Sequence, residues 1–308
     1  MAMQYIFGPV PSRRLGFSLG IDLVPFKTCS LDCPYCQLGK TTHKTIQRQA
    51  YGSPEEIITE LRDALQQHQK IDYITIGGSG EPTLSIHLGS LISRVKAMTA
   101  IPVAVLTNGT LLHSEEVRDE LVAADVVIPS LDAVSEGVFA RINRPHPRIT
   151  VSRMIAGVKR FREVFPGKLW LEIMVVRGIN DSLEEMGKMK SVIASIPFDK
   201  VQLNTPVRPS PDRELTPLTE QELTDLKDFL GEPCEVIAEF TGKQYVSENA
   251  LQERMITMIK RHPLNLADLS ASLGVPQAQL TRLICFLEDQ GRIESRRHGD
   301  EWYYHLKR

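Results

Sequence analysis

From about residue 17 to residue 204, short apolar runs alternate with longer stretches of helical period. The runs are rich in β-branched and aromatic residues and are mostly continuous, which is typical of strands in a parallel sheet that helices cover. Six strands are predicted, at residues 17–24, 72–76, 103–106, 126–129, 170–176 and 201–203. Six strand–helix units without a Rossmann glycine fingerprint predict an α/β fold, an open partial (β/α)6 barrel. In such a barrel the chemistry lies at the C-terminal ends of the strands.

The sequence changes character after the barrel. Residues 205–217 hold four prolines and are predicted to form a lid or linker, followed by a helix near 218–230 and a strand near 235–240. The first domain is therefore predicted to span residues 1–245. Residues 246–308 predict three helices and a hairpin, an order that resembles a winged helix.

The charge of this second domain bears on nucleic-acid binding. Residues 250–308 carry nine basic and seven acidic residues, a net charge of only +2, and the hairpin tip holds Arg296, Arg297 and His298. So small a charge gives weak support for DNA contact by the winged helix. Protein contact or dimerisation is the alternative.

The composition limits the partners and the compartment. The 308 residues include 36 Lys and Arg against 38 Asp and Glu, so no global basic field attracts nucleic acid or anionic lipid. No apolar run reaches the roughly 18 residues of a membrane helix, and residues 1–14 lack the pattern of a secretory signal. A cytoplasmic protein with no membrane partner is predicted. Candidates for binding an anion are Arg13, Arg14, Arg141 and Arg144, with a solvated face as the alternative.

Five cysteines are too few for a disulfide framework in a chain of this length. Three of them follow the first strand with the spacing C-x3-C-x2-C, at Cys29, Cys33 and Cys36. Three thiolates on one short loop suit a cubane 4Fe–4S cluster with one iron open to a small molecule. The alternative is structural zinc, with nearby His43 as a candidate fourth ligand. Cys234 and Cys285 are predicted to pack in the interior.

A second motif follows the second strand, where Gly77, Gly78, Gly80, Glu81 and Pro82 stand close together. Glycines allow the backbone to approach a ligand, and a glutamate accepts hydrogen bonds from an ammonium group. A tight turn is the alternative explanation of the glycines alone.

The cysteine spacing, with an aromatic residue before the last cysteine and the glycine–glutamate motif after strand two, resembles the radical S-adenosylmethionine (SAM) superfamily over about residues 6–240. The resemblance implies that the three cysteines hold a 4Fe–4S cluster whose open iron is chelated by the amino and carboxylate groups of SAM. It implies that Tyr35 lies close to the adenine. It also implies that the methionyl amino group is received by Gly78, Gly80, Glu81 and Pro82.

Residues at the later strands match the superfamily less specifically. Asn108 is predicted to contact the SAM carboxylate, with an ordinary Asn-Gly turn as the alternative. By resemblance, Ser130 and Asp132 hold ribose or methionine groups, with helix capping as the alternative. Val175 lies in the strand that packs beside adenine in this superfamily, with a place in the core as the alternative.

Polar residues on the last two strands are substrate candidates. Glu172 is predicted to pair with an arginine or to face the cavity. Gln202 and Asn204 are predicted to face the substrate or to be satisfied polar residues of the core.

The stretch from Phe7 to Gly39 resembles a little-characterised subgroup of "Fe–S oxidoreductases" near the wyosine-forming tRNA enzymes, although this chain has no second cysteine set. The resemblance implies an enzyme that cleaves SAM reductively to a 5′-deoxyadenosyl radical, which abstracts hydrogen from an unidentified substrate. A protein and an RNA are the candidate substrates. It also implies an external electron donor of the flavodoxin or ferredoxin type. The alternative is an iron–sulfur regulator that senses SAM or redox state and binds DNA through the winged helix.

Overall fold

The computed structural model describes residues 5–12, 14–67, 70–206, 215–237, 248–273, 275 and 277–307. The strands are β1 (Ile6–Ser12), β2 (Gly16–Ile21), β3 (Thr28–Cys29), β4 (His43–Lys44), β5 (Tyr73–Ile76), β6 (Val103–Thr107), β7 (Val126–Pro129), β8 (Lys168–Met174), β9 (Lys200–Asn204), β10 (Cys234–Val236), β11 (Leu264–Asn265), β12 (Ile293–His298) and β13 (Glu301–Leu306). The helices are α1 (Pro54–Gln67), α2 (Leu88–Met98), α3 (Glu115–Leu121), α4 (Glu136–Ile142), α5 (Val151–Val164), α6 (Leu183–Ser195), α7 (Glu220–Leu230), α8 (Glu248–Arg261), α9 (Leu266–Leu273) and α10 (Gln277–Asp289), with a 3-10 helix η1 (Pro82–Leu84).

The main sheet has eight strands in the order β1-β2-β5-β6-β7-β8-β9-β10. All pairings from β2 to β10 are parallel, and β1 runs antiparallel to β2. The six predicted strands correspond to β2, β5, β6, β7, β8 and β9, with ends that differ from the prediction by at most three residues. The predicted α/β architecture with a parallel, barrel-type sheet is confirmed.

The sequence analysis missed the edge strand β1. Its sequence contains Gly8, Pro9 and Pro11, which disfavour a strand because proline cannot donate a ladder hydrogen bond. The pairing of β1 with β2 accordingly shifts register between Phe7 and Val10. An edge position tolerates both the prolines and the irregularity.

The core lies between the sheet and its helices. All four residues of β7 are buried, and Leu19, Ile74 and Leu171 on other strands are also fully buried. Strands buried on both faces need continuous apolar runs, which explains why these strands do not alternate. Burial of each such side chain stabilises the fold by about 1.5–3 kcal/mol.

The chain ends in what we name the C-terminal unit, residues 248–273, 275 and 277–307. It contains the three predicted helices, α8 to α10, and a small antiparallel sheet in the order β11-β13-β12, whose β12 and β13 form the predicted hairpin. Its apolar core continues into the barrel, because Phe7 and Val10 of β1 pack with Met255, Met258 and Ile259 of α8.

Several predictions fall on residues outside the described ranges. They are the domain boundary at 245/246, residues 207–214 of the proline-rich segment, residues 238–240 of the strand predicted at 235–240, and Arg13. Cys234 is buried as predicted, whereas the prediction for Cys285 is wrong, because this residue lies on the exposed face of α10. Among the described helices, none is both long and apolar enough to span a membrane.

Candidate active site

A cavity of about 440 Å³ opens where the parallel strands end, and its lining also includes residues of the edge strand β1 and of the end of α8. Six of the predicted cofactor-binding residues line it: Tyr35, Gly78, Gly80, Glu81, Asn108 and Ser130. Cys29 and Cys36 also line it. The fold therefore brings the cysteine loop and the ends of β5, β6 and β7 to one site, as the sequence predicted.

Each of the three cysteine sulfurs in the loop after β2 faces a different side-chain N–H donor. The donor–sulfur pairs are Asn108 Nδ2 to Cys29 Sγ at 3.4 Å, Asn143 Nδ2 to Cys33 Sγ at 3.3 Å, and Lys27 Nζ to Cys36 Sγ at 3.2 Å. Hydrogen bonds to ligating sulfurs stabilise thiolates and tune the metal centre that they hold.

The protonation chemistry of these thiols indicates what they can hold. Burial raises the pKa of Cys29 to about 11 and also raises the pKa of Cys33. Such thiols stay protonated at neutral pH unless a cation compensates the thiolate charge. A cationic metal centre supplies that compensation, so the donor set fits an iron–sulfur cluster.

Lys27 is a site residue that the sequence analysis did not single out. It is buried and has a left-handed backbone, with φ of 58°. Its amide donates to the Ser79 carbonyl at 2.7 Å, which joins the cysteine loop to the glycine-rich loop. The only sequence feature that points to this role is its position, two residues before the first cysteine and directly after an apolar run.

The glycine-rich loop packs tightly against the cysteine loop. A Cβ atom at Gly80 would lie 2.1 Å from the Thr28 carbonyl oxygen, and the neighbouring Glu81 amide donates to that same oxygen at 3.0 Å. A side chain at position 80 would therefore collide with backbone. Gly80 therefore allows the two loops to approach each other closely, and it also lines the cavity.

Glu81 is buried and joins the loops after β5 and β6. Its Oε1 accepts hydrogen bonds from Thr83 and from Thr107 Oγ1, and its Oε2 accepts from the Asn108 amide at 2.7 Å. Burial raises the pKa of this carboxyl group. The structure thus gives Glu81 a scaffold role, and its predicted contact with an ammonium group stays a prediction.

Asn108 is engaged in a similar way. Its Nδ2 donates to Ser30 Oγ at 2.9 Å as well as to Cys29, and its Oδ1 accepts from the Thr110 amide at 3.1 Å. The side chain therefore shapes the turn after β6 and supports a cysteine sulfur. Its contact with a SAM carboxylate also stays a prediction.

Tyr35 is held by Asp132, which is buried at the end of β7. The Tyr35 hydroxyl and Asn143 Nδ2 both donate to Asp132 Oδ2, and the Met174 amide donates to Oδ1 at 2.9 Å. Burial raises the pKa of Asp132 to about 6. Asp132, Pro82 and Val175 are all buried and are not among the residues that line the cavity.

One part of the cavity wall, formed by Arg14, Glu172 and Asn204, is polar. Arg14 Nη1 lies 2.7 Å from Glu172 Oε2, and Asn204 Nδ2 donates to Glu172 Oε1 at 3.3 Å, with all three residues in the cavity wall. Glu172 therefore both pairs with an arginine and faces the cavity. Gln202 is instead buried, and its Nε2 donates to Glu235 at 2.8 Å, whereas its Oε1 has no hydrogen-bond partner among the described residues. It therefore lies in the core without being fully satisfied, and it does not line the cavity.

The remaining metal and anion candidates lie outside this cavity. His43 is exposed on β4, beside Thr28 of β3. Across the described ranges, no three His, Cys, Asp or Glu side chains are gathered around one point as a single metal ion requires. A cubane has its irons at separate corners, so its ligands need not converge in that way. Arg141 and Arg144 are exposed.

Comparison with known proteins agrees with this geometry. The sequence profile of the radical SAM superfamily matches residues 23–189, which include the cysteine loop and the glycine-rich loop. The chain belongs to the radical SAM superfamily. Radical SAM proteins use a 4Fe–4S cluster and SAM, so these are the cofactors of this chain, and their enzymes need an electron donor.

Several known proteins align with much of this chain. A UPF0026 protein of Methanocaldococcus jannaschii is 34% identical, over 85% of this chain and 84% of its own length. A Brachyspira hyodysenteriae protein named GTPase Obg is 38% identical over 94% of this chain, but this chain spans only 43% of that protein. In fold, the chain is similar to Streptococcus suis SuiB bound to S-adenosylmethionine, with a TM-score of 0.54, 16% identity, and coverage of 72% of this chain and 50% of that one.

Proposed function

We propose that this protein is an enzyme that cleaves SAM reductively and uses the resulting radical on an unidentified substrate. Cys29, Cys33 and Cys36 would hold the 4Fe–4S cluster, which in its reduced form would supply the electron for cleavage of SAM to methionine and a 5′-deoxyadenosyl radical, the species that would abstract hydrogen from the substrate. The chain's own residues hold the cofactors, orient them and exclude solvent from the cavity.

The observation that carries this proposal is the set of N–H donors that face the three cysteine sulfurs. Cys29, Cys33 and Cys36 are the proposed cluster ligands, and the donors from three separate segments of the chain stabilise their thiolates. A cavity of about 440 Å³ adjoins them, which is in the range of small-molecule and cofactor sites.

The SAM site is proposed to follow the ends of successive strands. Gly78, Gly80 and Glu81, with Pro82 behind them, are assigned to the methionyl amino group, because an ammonium group needs acceptors and close backbone approach. The carboxylate is assigned to Asn108, which adjoins a cluster ligand.

The nucleoside part of SAM is assigned to Tyr35 and to residues that follow β7 and β8. Tyr35 and Val175 are the residues proposed to flank the adenine. Ser130 and Asp132 are proposed to serve the ribose or methionine groups, Ser130 from the cavity wall and Asp132 through the hydrogen bond that holds Tyr35.

The substrate is proposed to bind at the polar part of the cavity wall. Arg14, Glu172 and Asn204 present a cation, a carboxylate and an amide there. Such a wall suits a substrate with hydrogen-bonding groups near the carbon that loses hydrogen, as in a protein or RNA residue. A flavodoxin- or ferredoxin-type protein is the proposed electron donor.

The C-terminal unit is proposed to be a winged-helix domain of residues 246–308 that follows a barrel domain of residues 1–245. Its helix order and hairpin support that description. The chain is also proposed to stand near the wyosine-forming tRNA enzymes, in the "Fe–S oxidoreductase" subgroup, on the sequence motifs given above.

The proposal is tested by reconstituting the protein anaerobically with iron and sulfide and adding dithionite and SAM. We expect about four irons per chain and 5′-deoxyadenosine as a product, measured by chromatography. Replacing any one of Cys29, Cys33 or Cys36 by Ala should abolish the product. The exposed Cys285→Ala is the matched control and should retain the cluster and the activity.

Two results would overturn the proposal. One is stoichiometric zinc with no iron after anaerobic reconstitution. The other is sequence-specific DNA retention with no SAM cleavage, which would favour the iron–sulfur regulator instead.

A further inference from the structure

The C-terminal unit reaches the cavity through the end of its first helix. Arg261, the last residue of α8, and His262 both line the cavity, together with the glycine-rich loop. Residues from opposite ends of the chain thus form one wall of the site, which we name the tail-side wall: Phe7, Val10, Arg261 and His262.

Arg261 contacts the glycine-rich loop in two ways. Its guanidinium Nη1 donates to Ser79 Oγ at 2.8 Å, and the same nitrogen forms an ion pair with Asp22 Oδ2. Asp22 in turn accepts a hydrogen bond from the Ser79 amide at 3.1 Å through Oδ1. Ser79 lies between the two glycines assigned to SAM, so Arg261 fixes both its side chain and, through Asp22, its backbone.

The contact is shielded from solvent. The side chains of Arg261 and Asp22 are only 14% and 7% exposed, and Ser79 is buried. A buried carboxylate that loses its cation is strongly disfavoured, so the loop conformation that holds Asp22 depends on Arg261. Asp22 would otherwise place an unpaired negative charge beside the site.

Phe7 adds an apolar connection along the same path. The guanidinium of Arg261 lies 4.8 Å from the centroid of the Phe7 ring, and that ring also packs with the core of the C-terminal unit. A Cβ atom at Gly78 would lie 3.1 Å from Phe7 Cε1. The ring is therefore sandwiched between the C-terminal unit and the first glycine of the SAM motif.

We infer that Arg261 is a positioning residue of the SAM site and that the C-terminal unit is a structural part of that site, in addition to any role in substrate recognition. This inference rests on the proposed function. It follows that removing the C-terminal unit would impair SAM binding itself. Asp22 would lose the cation that pairs with it, and Phe7 would lose the apolar side chains that pack against it. Loss of activity on truncation is therefore no measure of substrate recognition.

Point variants of the full-length, reconstituted protein test the inference. We expect Arg261→Gln to raise the KM for SAM in 5′-deoxyadenosine formation at least tenfold, with a smaller change in kcat, and Arg261→Lys to recover part of the loss. Iron content should stay near the parent value, and thermal unfolding should shift to lower temperature, because Asp22 loses its cation. Lys260→Gln is the matched control, because it removes the same charge from an exposed side chain one residue away and should leave the KM unchanged.

A second measurement reads the contact without SAM. Hydrogen–deuterium exchange of the unliganded protein should show faster exchange of the Ser79 amide in Arg261→Gln and in Asp22→Asn, and no change in Lys260→Gln. Since both residues act along one path, the double variant should be no worse than the more affected single variant.

The outcomes separate this inference from the proposed function. A parent protein that binds no SAM contradicts the proposed function, and the exchange of Ser79 then still decides whether Arg261 fixes the loop. If Arg261→Gln has the parent KM and exchange rate, or if Lys260→Gln raises the KM as much, the inference is overturned while the proposed function stands.

Discussion

The two walls of the cavity are held by different kinds of contact. What we name the cysteine-side wall, formed by residues 27–36 and 77–82, is held by hydrogen bonds from its backbone and polar side chains. The tail-side wall is held mainly by apolar packing of Phe7 and Val10 with α8, and one buried ion pair, Asp22 with Arg261, connects it to the first wall. The cysteine-side wall is therefore held by its own hydrogen bonds, whereas the tail-side wall depends on packing of the C-terminal unit against β1.

This difference separates two tasks of the site. A cluster and its ligands tolerate little displacement, which suits a wall whose backbone segments are hydrogen-bonded to each other. The C-terminal unit instead contacts the glycine-rich part of this wall, through the hydrogen bond of Arg261 to Ser79. The first wall is therefore expected to respond to substitution by losing stability or cluster properties, and the second by losing affinity for SAM.

The largest expected effect is that of Gly80→Ala in the cysteine-side wall. The added Cβ would meet the Thr28 carbonyl oxygen, which is backbone and cannot turn away, so we expect the free energy of unfolding to fall by about 4 kcal/mol. The loss of iron after reconstitution should accompany it. Chemical denaturation of the apo-protein measures the change.

Gly137→Ala is the matched control, because a Cβ at this helical glycine meets no atom within 4 Å. It should be neutral or stabilising by up to about 1 kcal/mol. Similar stabilities for the two variants would show that the cysteine-side wall is not the tight backbone contact described above.

These two walls also differ in how far the sequence could predict them. The six strands, the cysteine loop and the Gly78–Glu81 motif were predicted because each is a pattern of neighbouring residues on the end of a strand. Strand β1 was missed because its two prolines are unfavourable in a strand, so its sequence does not resemble one. The contact of Arg261 with Asp22 joins residues 239 positions apart, and no local pattern carries that information.

Side-chain roles within the motifs were harder to predict than their location. Asp132 and Asn108 follow β7 and β6, and their polar atoms contact Tyr35, Asn143, Ser30 and Cys29. Hydrogen-bond partners depend on which loops meet in space. The sequence specified the loops and left the partners open.

The next largest effect concerns the pH dependence of the cysteine-side wall. The folded pKa of Asp132 is about 6, against 3.8 as its ordinary value, so its stabilising contribution is complete below pH 4 and is lost as the pH rises through 6. The shift corresponds to about 3 kcal/mol. We expect the stability of Asp132→Asn relative to the parent to rise by about that amount between pH 4 and pH 7.

Denaturation of both apo-proteins at several pH values measures this difference. Tyr35→Phe sharpens the test, because the Tyr35 hydrogen bond lowers the pKa of Asp132 and its removal should raise that pKa further. The pH dependence should then be steeper than in the parent. A constant difference between Asp132→Asn and the parent at all pH values would contradict the assignment.

The smallest expected effect compares the cations of the two walls directly. Lys27 donates to a cysteine sulfur, so its charge favours the reduced, more negative cluster, whereas the charge of Arg261 is opposed by Asp22. We expect Lys27→Met to lower the midpoint potential of the SAM-free cluster by about 60 mV, a tenfold change in the one-electron equilibrium. Arg261→Gln should leave that potential nearly unchanged although it weakens SAM binding. Redox titration followed by electron paramagnetic resonance measures both, and equal shifts in the two variants would mean that the walls do not divide their tasks in this way.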